Sequence, residues 1–134
     1  MLTFNPKPAG EDHDGKPRPP TQMEKGFAAM AHLAGILWIP YVPIPGLALV
    51  VPFLVLQFAR VQSEFVEQHA VQACNFQLLM GCFYVLALVI AGAVQSALPI
   101  WWVVLGSSMF GLWEGAKAIN GWPSKYPVSL KLFK

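Results

Sequence analysis

Charge is what this chain lacks most. Residues 26 to 59 and 68 to 113 contain no Asp, Glu, Lys or Arg, and each stretch exceeds the ~20 apolar residues that cross a bilayer core. Only 12% of the chain is charged against 55% hydrophobic, where an average soluble domain carries ~25% charged residues. A chain that meets only water is excluded, and the sequence reads as an integral membrane protein with no separate soluble domain. Basic runs interleaved with aromatics are missing, and a net charge of +2 is small, so nucleic acid is excluded as a partner. Cysteine is scarce. Cys74 and Cys82 sit on one expected helix, roughly 12 Å apart along its axis, too far to pair. A Gly-rich phosphate loop, a nucleophile with an evident base, a carboxylate pair within the bilayer and a cluster of metal ligands are all missing. The expectation is therefore a protein that is not an enzyme and needs no cofactor.

What is present divides the chain at its prolines. Residues 1–21 carry Pro6, Pro8, Pro17, Pro19 and Pro20 with scattered charge and too little apolar content to offset ordering entropy, which predicts a disordered tail. A secretory signal would open with a basic region and close at a small-residue cleavage site. This tail does neither and is expected to stay on the protein. Thr21-Gln22-Met23-Glu24 has capping-box spacing, so a first helix should begin near Gln22. It should end near Ile39, because Pro40, Pro43, Pro45 and Gly46 follow at once. A second helix is expected from about Gly46 to Ala59, and Pro52 makes it more prone to bend than the first. Ser63 is placed to cap a third, Glu64 to Val94. Gln95-Ser96-Ala97-Leu98-Pro99 separates it from a fourth, Ile100 to Ile119, which Asn120-Gly121 should stop. A short basic tail, 122–134, remains, with Tyr126 and Phe133 available to lie at the membrane interface.

Residues 26–59 as one straight helix would run roughly 51 Å against a hydrocarbon core of ~30 Å, so a hairpin is the better reading. Its arms are short enough to be re-entrant. Charges not used in that argument agree with it. With two hairpins all nine Lys and Arg fall on one side, whereas a single first span would split them four against five. The resulting fold class is all-α, four membrane-embedded helices in two hairpins spanning residues 22–121, with both termini cytoplasmic.

Several polar groups are carried into that membrane region. His32, His69, Asn75, Gln77 and Glu114 cluster toward the cytoplasmic half, which admits two readings. Interhelical glue, with His32 and Asn75 bonded across the first and third helices, is preferred; a cytoplasm-facing cavity marking a substrate path is the alternative. Glu114 has Lys117 three residues on, an interfacial ion pair before it is a proton carrier. His69 follows Glu67 and could sit among headgroups, and two histidines without a third ligand make a weak metal site. Ser107, Gly111 and Gly115 repeat every four residues, a small-residue face suited to close helix packing. Packing within the chain is preferred for it over a homodimer contact.

Three segments carry a family resemblance: His32-Leu33, then Phe65-Val66 with His69-Ala70 and Ala73-x-Asn75-Phe76-Gln77, then Lys117-Ala118-x-Asn120-Gly121 with Tyr126-Pro127. Across roughly residues 26–130 the chain resembles a family of small bacterial membrane proteins related to the twenty-kilodalton subunit of the chloroplast inner-envelope protein-import translocon. The resemblance implies a polytopic helical fold and an inner-membrane or plastid-type location. Together these readings predict a non-enzymatic component or scaffold of a membrane complex. Its expected partners are the lipid bilayer and membrane proteins or further copies of itself. The alternative is a translocon-like channel or transporter component.

Overall fold

The computed structural model describes residues 14, 18–38, 46–59, 63–126 and 132–133. The expected disorder of residues 1–13 and 15–17 and the proline-dense turn at 40–45 lie outside them. Among the described residues the chain is all-α, with four α-helices and no strand: α1 (Gln22–Leu33), α2 (Leu47–Ala59), α3 (Glu64–Val94) and α4 (Leu98–Ile119).

Local chemistry sets most of the boundaries. Thr21 and Glu24 form the full capping box at the head of α1, and Arg18 grips the Glu24 carboxylate with two bonds of 2.9 and 3.0 Å. The Ser63 hydroxyl accepts from the Val66 amide at the start of α3. Gln95, in the left-handed region with φ 51°, ends it. α4 begins at Leu98, two residues before the expected Ile100, because a proline in the first turn forfeits no helical hydrogen bond. At its far end the Gly121 amide bonds to the Ala118 carbonyl and the Trp122 amide to that of Lys117, with Gly121 at φ 76°. This is a Schellman closure, and only glycine adopts that backbone at little cost.

The first helix departs from expectation. α1 stops at Leu33, and residues Ala34–Trp38 wind as a 3₁₀ helix. In 3₁₀ winding residues three apart eclipse, which brings Gly35 and Trp38 onto one face. Both meet the Gln77 amide there: Trp38 Nε1–H donates to its oxygen at 2.7 Å, and its nitrogen lies 2.8 Å from where a Gly35 Cβ would stand. Pro52 sits buried inside a continuous α2.

The helices run up and down in turn. At one end Glu24 reaches Ser63, Gly121 packs on Lys25 and Pro20, and Phe65 covers Ala28, Ala29 and Ala118. At the other, Trp38, Ala48, Tyr84 and Val104 form a separate cluster. Arg18, Lys25, Lys117 and Lys125 therefore share one end of the bundle.

Polarity is distributed opposite to that of a water-soluble domain. The apolar interior is mostly alanine, including Ala28, Ala31, Ala70, Ala73 and Ala118, while Phe58, Val89, Leu98, Trp102 and Trp113 stand out, each at least two-thirds exposed. His32, Gln77, Ser107, His69 and Glu114 are between 0 and 1% exposed. Small residues bring helix backbones close, and large ones face outward, as packing in lipid favours.

Among the described residues one helix, α3, is both long and apolar enough to cross a membrane. α4 has the length, at 22 residues, but Trp101, Trp102, Trp113, Glu114 and Lys117 lower its apolar character. α2, at 13 residues, covers roughly 20 Å.

Candidate functional site

Four of the interior polar residues, His32, His69, Asn75 and Glu114, share one partner that the sequence did not suggest. It is the segment after α4. Trp122 to Tyr126 and Leu132–Phe133 fold back against the bundle and bond to the interior polar side chains in turn.

The first contact is a chain of four groups. His69 Nε2 lies 2.9 Å from the Trp122 carbonyl oxygen, which can only accept, so Nε2 carries a hydrogen. In a neutral imidazole the other nitrogen then accepts, and His69 Nδ1 takes the hydrogen of His32 Nε2 at 2.9 Å. His32 Nδ1 is left to accept from the Tyr126 hydroxyl at 2.8 Å. One carbonyl thus fixes both tautomers. The direction runs from Tyr126 through His32 and His69 to Trp122. Phe76 stacks on the Tyr126 ring at 4.0 Å, and Phe65 lies against His69 at 4.5 Å. Burial, with the nearby Glu114 carboxylate adding to it, pushes the Tyr126 phenol far above its ordinary value, so it remains a hydroxyl.

Asn75 and Glu114 hold the same segment by its backbone. Asn75 Oδ1 accepts from the Leu132 and Phe133 amides at 2.9 and 2.8 Å, and its Nδ2 donates to the Phe133 carbonyl at 3.1 Å. Glu114 Oε1 accepts from Lys117 Nζ at 2.7 Å. Its Oε2 accepts from the Ser124 hydroxyl at 2.9 Å and the Lys125 amide at 3.2 Å.

Three expectations change in consequence. Asn75 bonds to the C-terminal segment rather than to His32, because its α3 position faces Phe133. His69 is buried rather than among headgroups, since Phe65 and Trp122 cover it. Tyr126 points into the bundle and Phe133 onto Phe53, because the left-handed turn at Gly121 sends the chain back instead of along an interface. The Glu114–Lys117 ion pair is present. No group of three or more His, Cys, Asp or Glu able to hold a metal occurs among the described residues.

Gln77 stands apart from the segment. Its oxygen accepts from Trp38 and, at 3.5 Å, from Ser107; its buried Nε2 finds no partner among the described residues. The Ser107, Gly111 and Gly115 face lies against α1 of the same chain. A Cβ on Gly111 would stand 2.6 Å from the His32 carbonyl oxygen, while one on Gly115 would meet Leu33 at 3.6 Å. The apolar groove between α3 and α4, which includes Met80, Phe83, Ile90, Trp102 and Phe110, is lined by none of these polar groups. They form a packed interior with the segment bound in it.

Replacing Asn75 by Leu removes three hydrogen bonds and strands two amides and a carbonyl of the segment, at ~1 kcal/mol or more for each group left buried. The expected result is a segment cut by protease far faster than in the wild type while the helices persist. Unchanged cleavage would contradict the anchoring role.

An apolar exterior over a polar, alanine-packed interior defines an all-α integral membrane protein. Over residues 23–133 the sequence matches the MamF/MmsF family, described as a magnetosome magnetite crystal formation protein family. The match covers most of the chain, and the chain belongs to that family. The resemblance to the translocon-related family is overturned by this match. The segments that suggested it include His32, His69, Asn75 and Tyr126, which hold the tail on the bundle. No curated protein and no solved structure matches the chain.

Proposed function

We propose that this protein is a non-catalytic, multi-pass component of the magnetosome membrane that acts in magnetite crystal formation with partner membrane proteins. The family match over residues 23–133 carries the reading. The inverted distribution of polarity supports the membrane part of it: the outward Phe, Val, Leu and Trp side chains suit lipid or neighbouring helices.

In the proposed topology all four helices are membrane-embedded as two hairpins, the first short, with both termini cytoplasmic. The placement of Arg18, Lys25, Lys117 and Lys125 at one end of the bundle supports it through the positive-inside rule. The magnetosome membrane derives from the inner membrane, so this orientation would be carried over. Partner proteins are favoured over transport, because His32, His69, Asn75 and Glu114 are engaged with the chain's own tail instead of lining an open path.

The test is deletion of the gene in a magnetite-forming bacterium, with crystal dimensions read by electron microscopy. Crystals of altered size or number within intact membrane compartments are expected, restored by the wild-type chain. Wild-type crystals, together with absence of the chain from purified magnetosome membranes, would overturn the proposal.

A further inference from the structure

The hydrogen-bond chain from Tyr126 to the Trp122 carbonyl has a property beyond holding the segment: its geometry accepts protons badly. With both imidazoles neutral, every donor in the chain has an acceptor. A proton added to His69 makes both its nitrogens donors, so His32 Nε2 must accept and its Nδ1 must donate to the Tyr126 oxygen. The Tyr126 hydrogen then loses its acceptor inside the bundle. A second proton sets two N–H groups against each other across 2.9 Å, which no rearrangement of hydrogens can satisfy.

We propose that the two histidines form an acid-released latch that holds the C-terminal segment on the bundle when neutral and lets it go when protonated. Tyr126 and Trp122 are the two points where the latch grips the segment, and both belong to the segment itself. Once it leaves, water reaches both rings and each can take a proton freely. The released state therefore binds more protons than the docked one, and linkage requires acid to favour it. The effect sets in as pH falls below the ordinary imidazole value of ~6.5.

Other charges facing the pair do not cancel this asymmetry. From α4 the nearby charges are Glu114 and Lys117, of opposite sign and paired to each other at 2.7 Å. Glu114 is itself bonded to Lys117, Ser124 and Lys125. From α1 and α3 the facing titratable groups are the two histidines themselves, from the tail it is Tyr126, and α2 offers no titratable side chain over Leu47–Ala59. Asn75 and Glu114 keep secondary holds on the segment. Release must therefore overcome them, and the transition should be cooperative.

The experiment uses the full chain in lipid nanodiscs with spin labels at the exposed Cys82 and at Leu132→Cys, whose side chain is also exposed, with Cys74→Ala. One narrow distance distribution is expected at pH 8 and a broad, longer one at pH 5. The docked-to-released ratio should fall about tenfold per pH unit for each extra proton the released state holds. His69→Gln can still accept from His32 and donate to Trp122 but does not titrate, and should stay docked at pH 5. In wild-type protein labelled with 15N-histidine, the His32 and His69 imidazole signals, told apart from that of His13 by its substitution, should titrate at the midpoint of release. A distribution unchanged between pH 8 and 5 overturns the proposal, as does release of His69→Gln with the wild-type midpoint. Should that variant fail to dock at pH 8, the wild-type comparison decides alone, and imidazoles titrating at a different pH from release overturn the latch.

Discussion

Gly111→Leu should yield no folded protein, and Gly111→Ala should already be visibly destabilised. The first atom of any side chain at this position would stand 2.6 Å from the His32 carbonyl oxygen, so the obstacle is backbone, not a side chain that can turn aside. Relief requires α1 to move away from α4, which would also pull His32 from His69 and Gly35 from Ser107. Overpacking of this kind costs about 1–3 kcal/mol for a small addition and more for a large one. Helix propensity returns up to ~1 kcal/mol when glycine becomes alanine, too little to offset it. The neighbouring glycines supply the contrast. At Gly115 a Cβ meets Leu33 at an ordinary 3.6 Å, and at Gly106 it meets nothing within 4 Å. Alanine at either site should be neutral or stabilising. Thermal unfolding of the three alanine variants in nanodiscs would separate them, and equal midpoints would show that the α1–α4 approach is looser than described.

The same face shows how far the sequence could be read. Residues four apart on α4 announce a close helix contact by their size alone, and the preferred partner, a helix of the same chain, is the one the structure supplies. Caps were legible for a similar reason: the Thr21–Glu24 box, the Ser63 hydroxyl and the glycine at 121 act within four residues of where they stand in the chain. The candidate site was legible only by half. His32, His69, Asn75, Gln77 and Glu114 stand out as polar groups in apolar surroundings, but the partners of His69, Asn75 and Glu114 include main-chain atoms of Trp122, Lys125, Leu132 and Phe133, and a backbone group leaves no mark in a sequence. A clue did exist in the need for partners. Asn75 alone offers more donors and acceptors than the apolar faces of the other helices can match, so something polar had to enter the bundle. Tyr126, expected at the membrane interface, carries a hydroxyl shortly beyond a helix-ending glycine and is one of the groups that enter. The 3₁₀ turn at Ala34–Trp38 was beyond reach, since it follows from the tertiary contact of Gly35 and Trp38 with Gln77.

Lys117→Met should be more damaging than Glu114→Gln, although the two residues form one ion pair. The Glu114 side chain is 2% exposed and that of Lys117 22%, so the carboxylate is the member that needs the pair. Without the ammonium, Glu114 keeps the Ser124 hydroxyl and the Lys125 amide but remains a buried anion with no countercharge. Stranding one partner of a buried pair costs about 3–5 kcal/mol. Glu114→Gln leaves a neutral amide whose oxygen can still accept from Ser124 or Lys125, while Lys117, being partly exposed, can turn to water. The loss is then nearer that of one or two hydrogen bonds, about 1–3 kcal/mol. The double variant Glu114→Gln, Lys117→Met should recover much of the stability lost by Lys117→Met alone, because it removes the stranded charge. That recovery separates a charge-balancing pair from two residues that merely pack. Thermal unfolding in nanodiscs would measure it, and a double variant weaker than both single ones would rule it out. Proteolysis of the segment gives a second reading. Since Glu114 Oε2 is the atom that holds Ser124 and Lys125, Glu114→Ala should loosen the tail, while Lys117→Met, which leaves that oxygen in place, should loosen it less for an equal loss of stability.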